Sequence, residues 1–435
     1  MTSTSFDLKS IRLPHARRRA GLGFLDRFLY ASLCVNVFLV PLEGAVLLGT
    51  ATITIFVGAA SSLAFLGSVV FERRPIHRSG AAGRSMAIRI ALAMLSLSLW
   101  SEDPAETSRQ LPFLIRLSLL GTMVYQVAVA DEARWRGFCK SVGLGAGVAA
   151  GIIVSNLIRG VTFFDASGVF VQRTIEEAGV GSARRYTVAR VDPNYMAMVL
   201  AICLLVFWAG NKSGRRLAYF VTPLILFAMA LTGSRTAIVA CFAAGAYYVV
   251  QTFFRGNQRW RLFVGTLACL AVVAVAWQFV PQDTQVRART VFSAQEDNSA
   301  TQREKSWTAG IAAWQDVPIL GSGLASYLNY VSRYAATPKA AHNLYVNQLV
   351  EGGLVGVAVS IYGLSGVWRS TSSSRVRPER IAMVYWAVTG LAVDIDLNKL
   401  TFVFLALCLA SSQHRSKAEL ERPSGSASPI AHRMA

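Results

Sequence analysis

The sequence predicts an all-α polytopic membrane protein with about 12 transmembrane helices. Two observations favour this fold class. The 435-residue chain is 53% hydrophobic and only 15% charged, whereas a soluble domain usually carries about 25% charged residues. Its apolar residues are also gathered into long runs, and a helix needs roughly 20 of them to cross a bilayer.

The apolar runs define one membrane domain over residues 26–413, preceded by a basic stretch, 1–25, and followed by a polar tail, 414–435. We expect the tail to be disordered, because it has too few apolar residues to form a core. The predicted spans are residues 26–42, 46–71, 85–100, 111–130, 138–157, 195–209, 217–232, 235–254, 262–280, 343–366, 381–397 and 400–413.

The net charge of +19 has a topological explanation. In a soluble protein such an excess would indicate nucleic acid as a partner. Here Lys and Arg are concentrated in alternate short loops, the pattern that keeps basic loops in the cytoplasm and beside anionic lipid. No small-residue cleavage site follows the first apolar run, so we expect it to remain as a helix. Both termini are then cytoplasmic, and nucleic acid is not expected as a partner.

Two outer loops, a medium one over residues 158–194 and a large one over residues 281–341, do not follow this charge pattern. Both are rich in cations, although long loops cross the membrane largely regardless of charge. An anionic ligand on the outer side would explain the enrichment. The cations are Arg159, Arg173, Arg184, Arg185, Arg190, Arg287, Arg289, Arg303, Lys305, Arg333 and Lys339.

The sequence indicates no metal site and no disulfide framework. The six cysteines lie in or beside apolar runs without a CxxC pair, which is typical of small core residues. Asp394-Ile395-Asp396 resembles the DxD motif of soluble nucleotide-sugar transferases, but no nucleotide-binding domain precedes it. We expect the nearby Lys399 to neutralise it.

The large outer loop contains a predicted surface helix. Thr301-Gln302-Arg303-Glu304 fits a capping box that starts a helix. Helical spacing then places Arg303, Trp307 and Trp314 on one face, as in a helix lying on the membrane with tryptophans at headgroup level. Pro318 and the turn from Gly321 to Gly323 are predicted to end this helical region.

Two outer helix starts combine capping residues with arginine. Ser234 is a predicted N-cap, which puts Arg235 in a first turn where a cation opposes the helix dipole by about 0.3–1 kcal/mol. A bound anion would remove this cost, and contact with lipid phosphates is the equal alternative. Asp192-Pro193-Asn194 is first of all a helix start. The nearby Arg190, or Arg184 or Arg185 instead, could also reach an anion there.

His342 is the histidine best placed for chemistry. The other four of the five histidines fall in basic segments predicted to be cytoplasmic, whereas His342-Asn343 begins the span 343–366 at the outer surface. An imidazole there can take or give a proton near neutral pH. Glu351 lies roughly 14 Å deeper on the same helix, and an intramembrane acid is usually functional or paired. Gly352 and Gly356 are spaced for close helix packing.

Several of these motifs, in this order around a large outer loop, make the chain resemble the O-antigen ligase and polymerase superfamily of bacterial envelope glycosyltransferases. The resemblance covers about residues 95–360. It rests on Trp100-Ser101-Glu102-Asp103-Pro104-Ala105-Glu106-Thr107, Asp192-Pro193-Asn194, Gly233-Ser234-Arg235, Arg303 with Trp307, Pro318 to Gly323, and His342-Asn343 through Gly356.

The resemblance implies inverting glycosyl transfer at the periplasmic face of the bacterial inner membrane, without metal or cofactor. The donor would be a polyprenyl-diphosphate-linked oligosaccharide. The acceptor would be a sugar hydroxyl on a second lipid-linked unit, for an exopolysaccharide or O-antigen polymerase, or on lipid A–core, for an O-antigen ligase. A polymerase could also work with a chain-length regulator. The wording around Trp100 favours a polymerase by family analogy alone.

On this interpretation, Arg235 and Arg303 stabilise the departing diphosphate and His342 handles the acceptor proton, which makes these three the catalytic candidates. The substrate-binding candidates are Arg190, Arg185, Asn194, Asn343 and Trp307. Glu351, Gly321 and Gly323 are expected to shape the cavity.

A transporter or flippase of an anionic or lipid-linked substrate is the alternative. It agrees with the number of spans, but such proteins usually bind at the midplane on broken helices. This chain instead concentrates its arginines and one histidine at the outer surface, so the sequence favours the enzyme.

Overall fold

A computed structural model describes residues 23–42, 47–48, 51–165, 170–174, 186–188, 191–211, 215–253, 298–335, 339–372, 377–394 and 397–420, together with the single residues 278, 282 and 285. Within these ranges the chain is predominantly helical. The helices are α1 (Phe24–Leu39, extended by the 3-10 turn Val40–Leu42), α2 (Ile53–Val70), α3 (Gly80–Leu99), α4 (Pro104–Ala130), α5 (Glu132–Ile158), α6 (Pro193–Gly210), α7 (Arg215–Leu231), α8 (Arg235–Phe253), α9 (Asn298–Asp316), α10 (Tyr327–Val331), α11 (Leu344–Ser370), α12 (Pro378–Thr389) and α13 (Lys399–Leu420).

Eight helices in the described part of the chain are long and apolar enough to cross a membrane, namely α1 with its 3-10 turn, α2 to α6, α8 and α11. The predicted helical membrane fold is therefore confirmed, while the count of 12 stays a prediction. Apart from residue 278, the predicted span 262–280 lies outside the described residues. The predicted span 381–397 differs most from the structure, because α12 ends at Thr389 and Gly390 follows it.

Short β-hairpins replace two parts of the predicted organisation. The span expected from residue 46 begins only at Ile53, after the two-residue strands β1 (Leu47–Leu48) and β2 (Ala51–Thr52) pair antiparallel. In the medium outer loop, β3 (Val161–Asp165) pairs antiparallel with β4 (Phe170–Thr174), with Val161 opposite Thr174. The all-α prediction missed both.

Local capping chemistry lengthens two predicted spans. The span expected from residue 111 begins at Pro104, because the Asp103 carboxylate accepts a hydrogen bond from the Glu106 N–H at 3.0 Å and proline is preorganised for a first turn. The next span begins at Glu132 instead of residue 138, with Asp131 accepting from the Ala133 N–H at 2.9 Å.

Glycines of α5 bring the core helices together. An added Cβ on Gly145 would lie 2.0 Å from the Phe38 carbonyl oxygen of α1, and one on Gly143 would lie 2.3 Å from the Phe207 ring of α6. Small residues allow such backbone approach in membrane bundles, where van der Waals packing drives association. Helix α5 thus lies against both α1 and α6.

Helix ends meet on two opposite sides, which we name after Asp26 and His342. On the Asp26 side, Asp26 accepts from Arg74 Nη1 at 2.7 Å and from Arg134 Nη2 at 2.5 Å. On the His342 side, the Leu344 N–H donates to the Gly390 carbonyl at 2.8 Å. Other helix ends on this side are also joined by backbone hydrogen bonds. The predicted outer segments thus lie together on the His342 side.

Candidate active site

His342 is held in a strained conformation at the beginning of α11. Its φ is 45°, in the left-handed region, and its side chain is exposed. A non-glycine residue in this backbone conformation costs of order 1–3 kcal/mol, so the conformation persists only where the surrounding structure holds it. Here the Asn343 side chain caps α11 by accepting from the Tyr345 and Val346 N–H groups at 2.9 and 3.2 Å. Strain at an exposed imidazole is typical of a functional position.

Trp307 fixes the residue on the other side of His342. Its indole N–H donates to the Ala341 carbonyl at 2.8 Å, and Trp314 donates likewise to the Pro318 carbonyl at 3.2 Å. Both rings pack against a small apolar cluster that includes Tyr327. Both hydrogen bonds therefore join residues within the large outer loop, and the position of the two tryptophans at headgroup level stays a prediction.

Helix α9, which carries Arg303, lies directly on α11. An added Cβ on Gly310 would be 2.7 Å from a Val346 methyl group, so the two helices approach closely at that glycine. The helix begins at Asn298, so the prediction that the capping box at Thr301 starts it was wrong. Arg303 is half-buried, one turn before Trp307 and on the same helical face.

Arg235 is the first residue of α8 and lies on the His342 side. The predicted Ser234 cap is confirmed, since its hydroxyl accepts from the Ala237 N–H at 3.2 Å. Helix α8 packs along α12, and the carbonyl of Gly390 at the end of α12 binds the first N–H of α11. The structure thus brings the helix starts of Arg235 and His342 to one side of the bundle.

Asp192 supplies the predicted helix start of α6. Its carboxylate accepts from the N–H groups of Asn194 and Tyr195 at 2.6 and 3.1 Å. The Asn194 side chain is half-buried. Arg184, Arg185 and Arg190, the candidates for an anion contact here, lie outside the described residues.

Helix α11 is broken at Gly353, a feature that the sequence analysis missed. Gly353 has φ 59° and ψ −162°, and the backbone of residues 318–323 lies against the break. The Ser322 and Gly323 N–H groups donate to the Val350 and Glu351 carbonyls at 2.8 and 3.0 Å. In return, the Leu354 and Val355 N–H groups donate to the Pro318 and Ile319 carbonyls at 2.9 and 3.1 Å. The large outer loop thus satisfies backbone groups that the break would expose.

Gly321 and Gly353 make this contact possible. Both have positive φ, and an added Cβ on Gly321 would lie 2.5 Å from the Glu351 carbonyl group. Gly323 also has positive φ, and a Cβ there would lie 2.8 Å from the Ser101 hydroxyl. By contrast, a Cβ on Gly352 would meet nothing within 4 Å, and one on Gly356 only the Gln348 carbonyl at 4.0 Å. The prediction that Gly352 and Gly356 pack closely was therefore wrong.

The stretch from Ser101 to Thr107 holds the other side of this loop. The Thr107 hydroxyl donates to the Leu324 carbonyl at 2.6 Å, and the Glu102 N–H donates to the Ser322 carbonyl at 2.9 Å. The Glu102 carboxylate also pairs with Arg333 at 2.6 Å. This stretch, used above only as a family signature, therefore anchors the large outer loop.

Three cavities follow α11 inward from the His342 side. The His342-side cavity, of about 290 Å³, and the central cavity, of about 70 Å³, share Glu351. The central cavity shares Arg89, Gln348 and Ser360 with the Asp26-side cavity, of about 120 Å³. Arg89 of α3 thus lines two of these cavities.

The structure does not supply a metal cluster in the part of the chain that it describes, where no group of three His, Cys, Asp or Glu side chains lies close enough to hold an ion. Asp394 is exposed and Asp396 lies outside the described residues. Lys399 is buried and donates to the Thr54 hydroxyl at 2.7 Å. Its neutralisation of Asp394 stays a prediction.

Comparison with protein families identifies the segment that carries these residues. Residues 220–361 match the family model described as O-antigen ligase. This segment is thus similar to the O-antigen ligases. It contains Arg235, Arg303, His342 and Glu351, and the match supports the resemblance stated from the motifs. No curated protein matches the chain.

Together, the match to the O-antigen ligase model and the eight apolar helices in the described part of the chain indicate a multi-pass membrane protein. The family acts on lipid-linked oligosaccharide donors and glycan acceptors.

Proposed function

We propose that the protein is an inverting, metal-independent glycosyltransferase of the bacterial inner membrane, acting at its periplasmic face as a polysaccharide polymerase or O-antigen ligase. The observation that carries the proposal is the match of residues 220–361 to the O-antigen ligase model. In this segment Arg235 and the strained His342 lie at helix starts on one side of the bundle. The donor is a polyprenyl-diphosphate-linked oligosaccharide and the acceptor is a sugar hydroxyl. Both termini lie in the cytoplasm.

In the proposed reaction the acceptor oxygen attacks the anomeric carbon of the donor sugar. The bond from that carbon to the diphosphate oxygen breaks, and the configuration inverts in this single displacement. His342 accepts the hydroxyl proton, a role typically worth 10²–10⁴-fold in rate. The departing diphosphate gains negative charge, which guanidinium groups bind bidentately and without deprotonating. Arg235 and Arg303 supply that stabilisation, as preorganised charges do in other transferases.

The substrate-binding residues have more modest roles. Asn343 keeps α11 capped and so orients His342, while Trp307 fixes Ala341 and with it the same backbone. Asn194, Arg185 and Arg190 contribute at the neighbouring mouth of α6, where the arginines bind the second phosphate. A chain-length regulator is proposed as an additional partner in the case of a polymerase.

The test compares variants in a strain that lacks the chromosomal gene. His342→Ala and Arg235→Ala are expressed with Arg109→Ala as a matched control, because the Arg109 side chain is 75% exposed on the same side. Membrane levels are confirmed, and secreted polymer and lipopolysaccharide are run on gels. Loss of polymer with intact lipopolysaccharide identifies a polymerase, whereas bare core with unligated O-chain identifies a ligase. Normal glycans from both variants would refute the catalytic roles.

A transporter of lipid-linked substrate is the second candidate, because α11 is broken and Arg89 and Glu351 line cavities within the helical bundle. Both features are typical of transporter binding sites. Glycan transfer by the purified protein in detergent, where no compartments exist, would exclude a purely transporting role. A protein that moves substrate across vesicles but forms no glycosidic bond would support it.

A further inference from the structure

The His342-side cavity is an acidic and amide-rich chamber directly inward of His342. Its polar lining comes from Gln110 of α4, Tyr327 of α10, Asn347 and Glu351 of α11, and Asp394 beyond α12. Its volume of about 290 Å³ is at the lower end of the range for small-molecule sites, about 300–1,000 Å³. The chamber is thus large enough for one compact polar ligand group.

The described lining of this chamber is not suited to a phosphate group. It includes two carboxylates, Glu351 and Asp394, and among the residues that the structure describes no Lys, Arg or His lines it. Their negative charges also act on Tyr327: burial first, and then Glu351 and Asp394, raise the pKa of its hydroxyl to about 12. The hydroxyl therefore stays protonated and donates to the Ser306 carbonyl at 3.0 Å. A diphosphate binds best to cationic donors, which the described lining does not offer.

The same lining is suited to sugar hydroxyls. Carboxylate and amide oxygens accept hydrogen bonds from hydroxyl groups, and amide N–H groups donate to them. The apolar part of the wall, Ala325, Leu328 and Leu397, offers a surface for the C–H face of a sugar ring. A few convergent polar groups in an otherwise apolar wall are typical of a specific ligand site.

The chamber reaches the residues that flank His342. Ala340, two residues before His342, lines it. Asn347 and Glu351 follow Leu344, the first residue of α11, by three and seven residues, roughly 4.5 and 10 Å along the helix at about 1.5 Å per residue. The lining thus includes residues of the chain on both sides of His342.

We propose that this cavity is the subsite for the terminal sugar of the acceptor glycan, an uncharged sugar or an amino sugar. The inference rests on the proposed function. The donor sugar is excluded because it is bonded to the diphosphate, whereas the reacting end of the acceptor carries no phosphate. Glu351, Asp394, Asn347 and Gln110 bind its hydroxyls, and Glu351 and Asp394 also select against acidic sugars.

The activity test separates acceptor binding from donor binding. Glu351→Gln and Asp394→Asn are purified as full chains, and transfer from the host's own lipid-linked donor to oligosaccharides released from the host's own polymer is measured. Each variant is expected to raise the acceptor KM about tenfold or more, as for loss of a hydrogen bond to a charged group, and to leave the donor KM unchanged. Glu304→Gln is the matched control, because Glu304 is exposed on α9 and its substitution removes the same charge.

A binding test does not depend on turnover. Leu328 is 50% exposed and lines the cavity, so maleimide labelling of Leu328→Cys, resolved by peptide mass spectrometry, reports occupancy. The oligosaccharides should slow the labelling of residue 328, and the additional substitution Glu351→Gln should weaken this protection. Undecaprenyl diphosphate should not slow the labelling. Two results would overturn the assignment of the acceptor subsite without affecting the proposed transferase function. One is protection of residue 328 by undecaprenyl diphosphate alone, and the other is a raised donor KM in Glu351→Gln or Asp394→Asn. If the wild-type protein forms no glycosidic bond while oligosaccharide still protects Leu328→Cys from labelling, the proposed function is overturned and the sugar site is kept.

Discussion

The contact between the large outer loop and the break in α11 predicts opposite effects for two adjacent glycines. Gly353 has a backbone conformation that is essentially restricted to glycine, and an added Cβ would lie 2.4 Å from the Ile319 carbonyl oxygen and 2.6 Å from the Gly321 nitrogen. Gly352 is helical, and a Cβ there would meet nothing within 4 Å. Alanine is therefore expected to be harmful at the first position and harmless at the second.

The magnitude for Gly353→Ala has two parts. The backbone conformation costs of order 1–3 kcal/mol for a residue with a Cβ, and insertion into a packed site typically costs a further 1–3 kcal/mol or so. Because both close contacts are backbone atoms, a side-chain rotation cannot relieve them. We expect a loss of roughly 2–6 kcal/mol in all. Gly352→Ala should gain about 0.5–1 kcal/mol, the usual preference for alanine in a helix.

The assay is thermal unfolding of both variants in the same detergent, followed by limited proteolysis of the large outer loop. Gly353→Ala should unfold several degrees below wild type, and its loop should be cleaved faster, because the four backbone hydrogen bonds across the break are lost with the contact. Gly352→Ala should match or exceed the wild type. Identical unfolding curves and cleavage rates for the two variants would refute the interpretation of the break.

Three further predictions concern single residues. His342→Gly should unfold at the same or a higher temperature than wild type, because glycine relieves the left-handed strain, while glycan transfer is lost; a clear loss of stability would contradict this. Trp307→Phe should cost about 1–3 kcal/mol in stability, because it leaves a buried carbonyl unpaired, and thermal unfolding should show a smaller loss for Trp314→Phe. Burial and then the charge of Arg74 lower the pKa of His77 below 6.5, so the folded state binds fewer protons than the unfolded state. Stability should therefore fall as the pH drops below about 6.5, and a pH series of unfolding curves should show a shallower fall for His77→Gln.

The elements that the sequence predicted are those governed by neighbouring residues. Apolar runs define the helices, and Ser234 and Asp192 cap the helices that follow them because a short polar side chain can reach N–H groups two or three residues on. The order of motifs led to the O-antigen ligase family, later confirmed over residues 220–361. Such signals are contained within a few residues of sequence.

The features that the sequence missed depend on contacts between distant segments. Gly353 can break α11 only because four residues of the large outer loop, Pro318, Ile319, Ser322 and Gly323, supply replacement hydrogen bonds. The sequence predicted a turn from Gly321 to Gly323 and a packing role for Gly352, but neither prediction connects Gly321 with Gly353. In the same way, the His342-side cavity joins Gln110 to Asp394 from opposite ends of the chain, and no local pattern connects those two positions.

The separation of charge on the His342 side explains how one site could treat its two substrates differently. In an inverting displacement the nucleophile and the leaving group lie on opposite sides of the anomeric carbon. The proposed site meets that requirement with unlike chemistry: Arg235 and Arg303 for the diphosphate, and an acidic cavity for the acceptor sugar, with His342 adjacent to it. Each group of residues should then alter a different kinetic constant. Arginine variants should raise the donor KM and lower kcat, whereas cavity variants should raise only the acceptor KM. A His342 variant should lower kcat most and flatten its rise with pH, because the group that accepts the proton is gone.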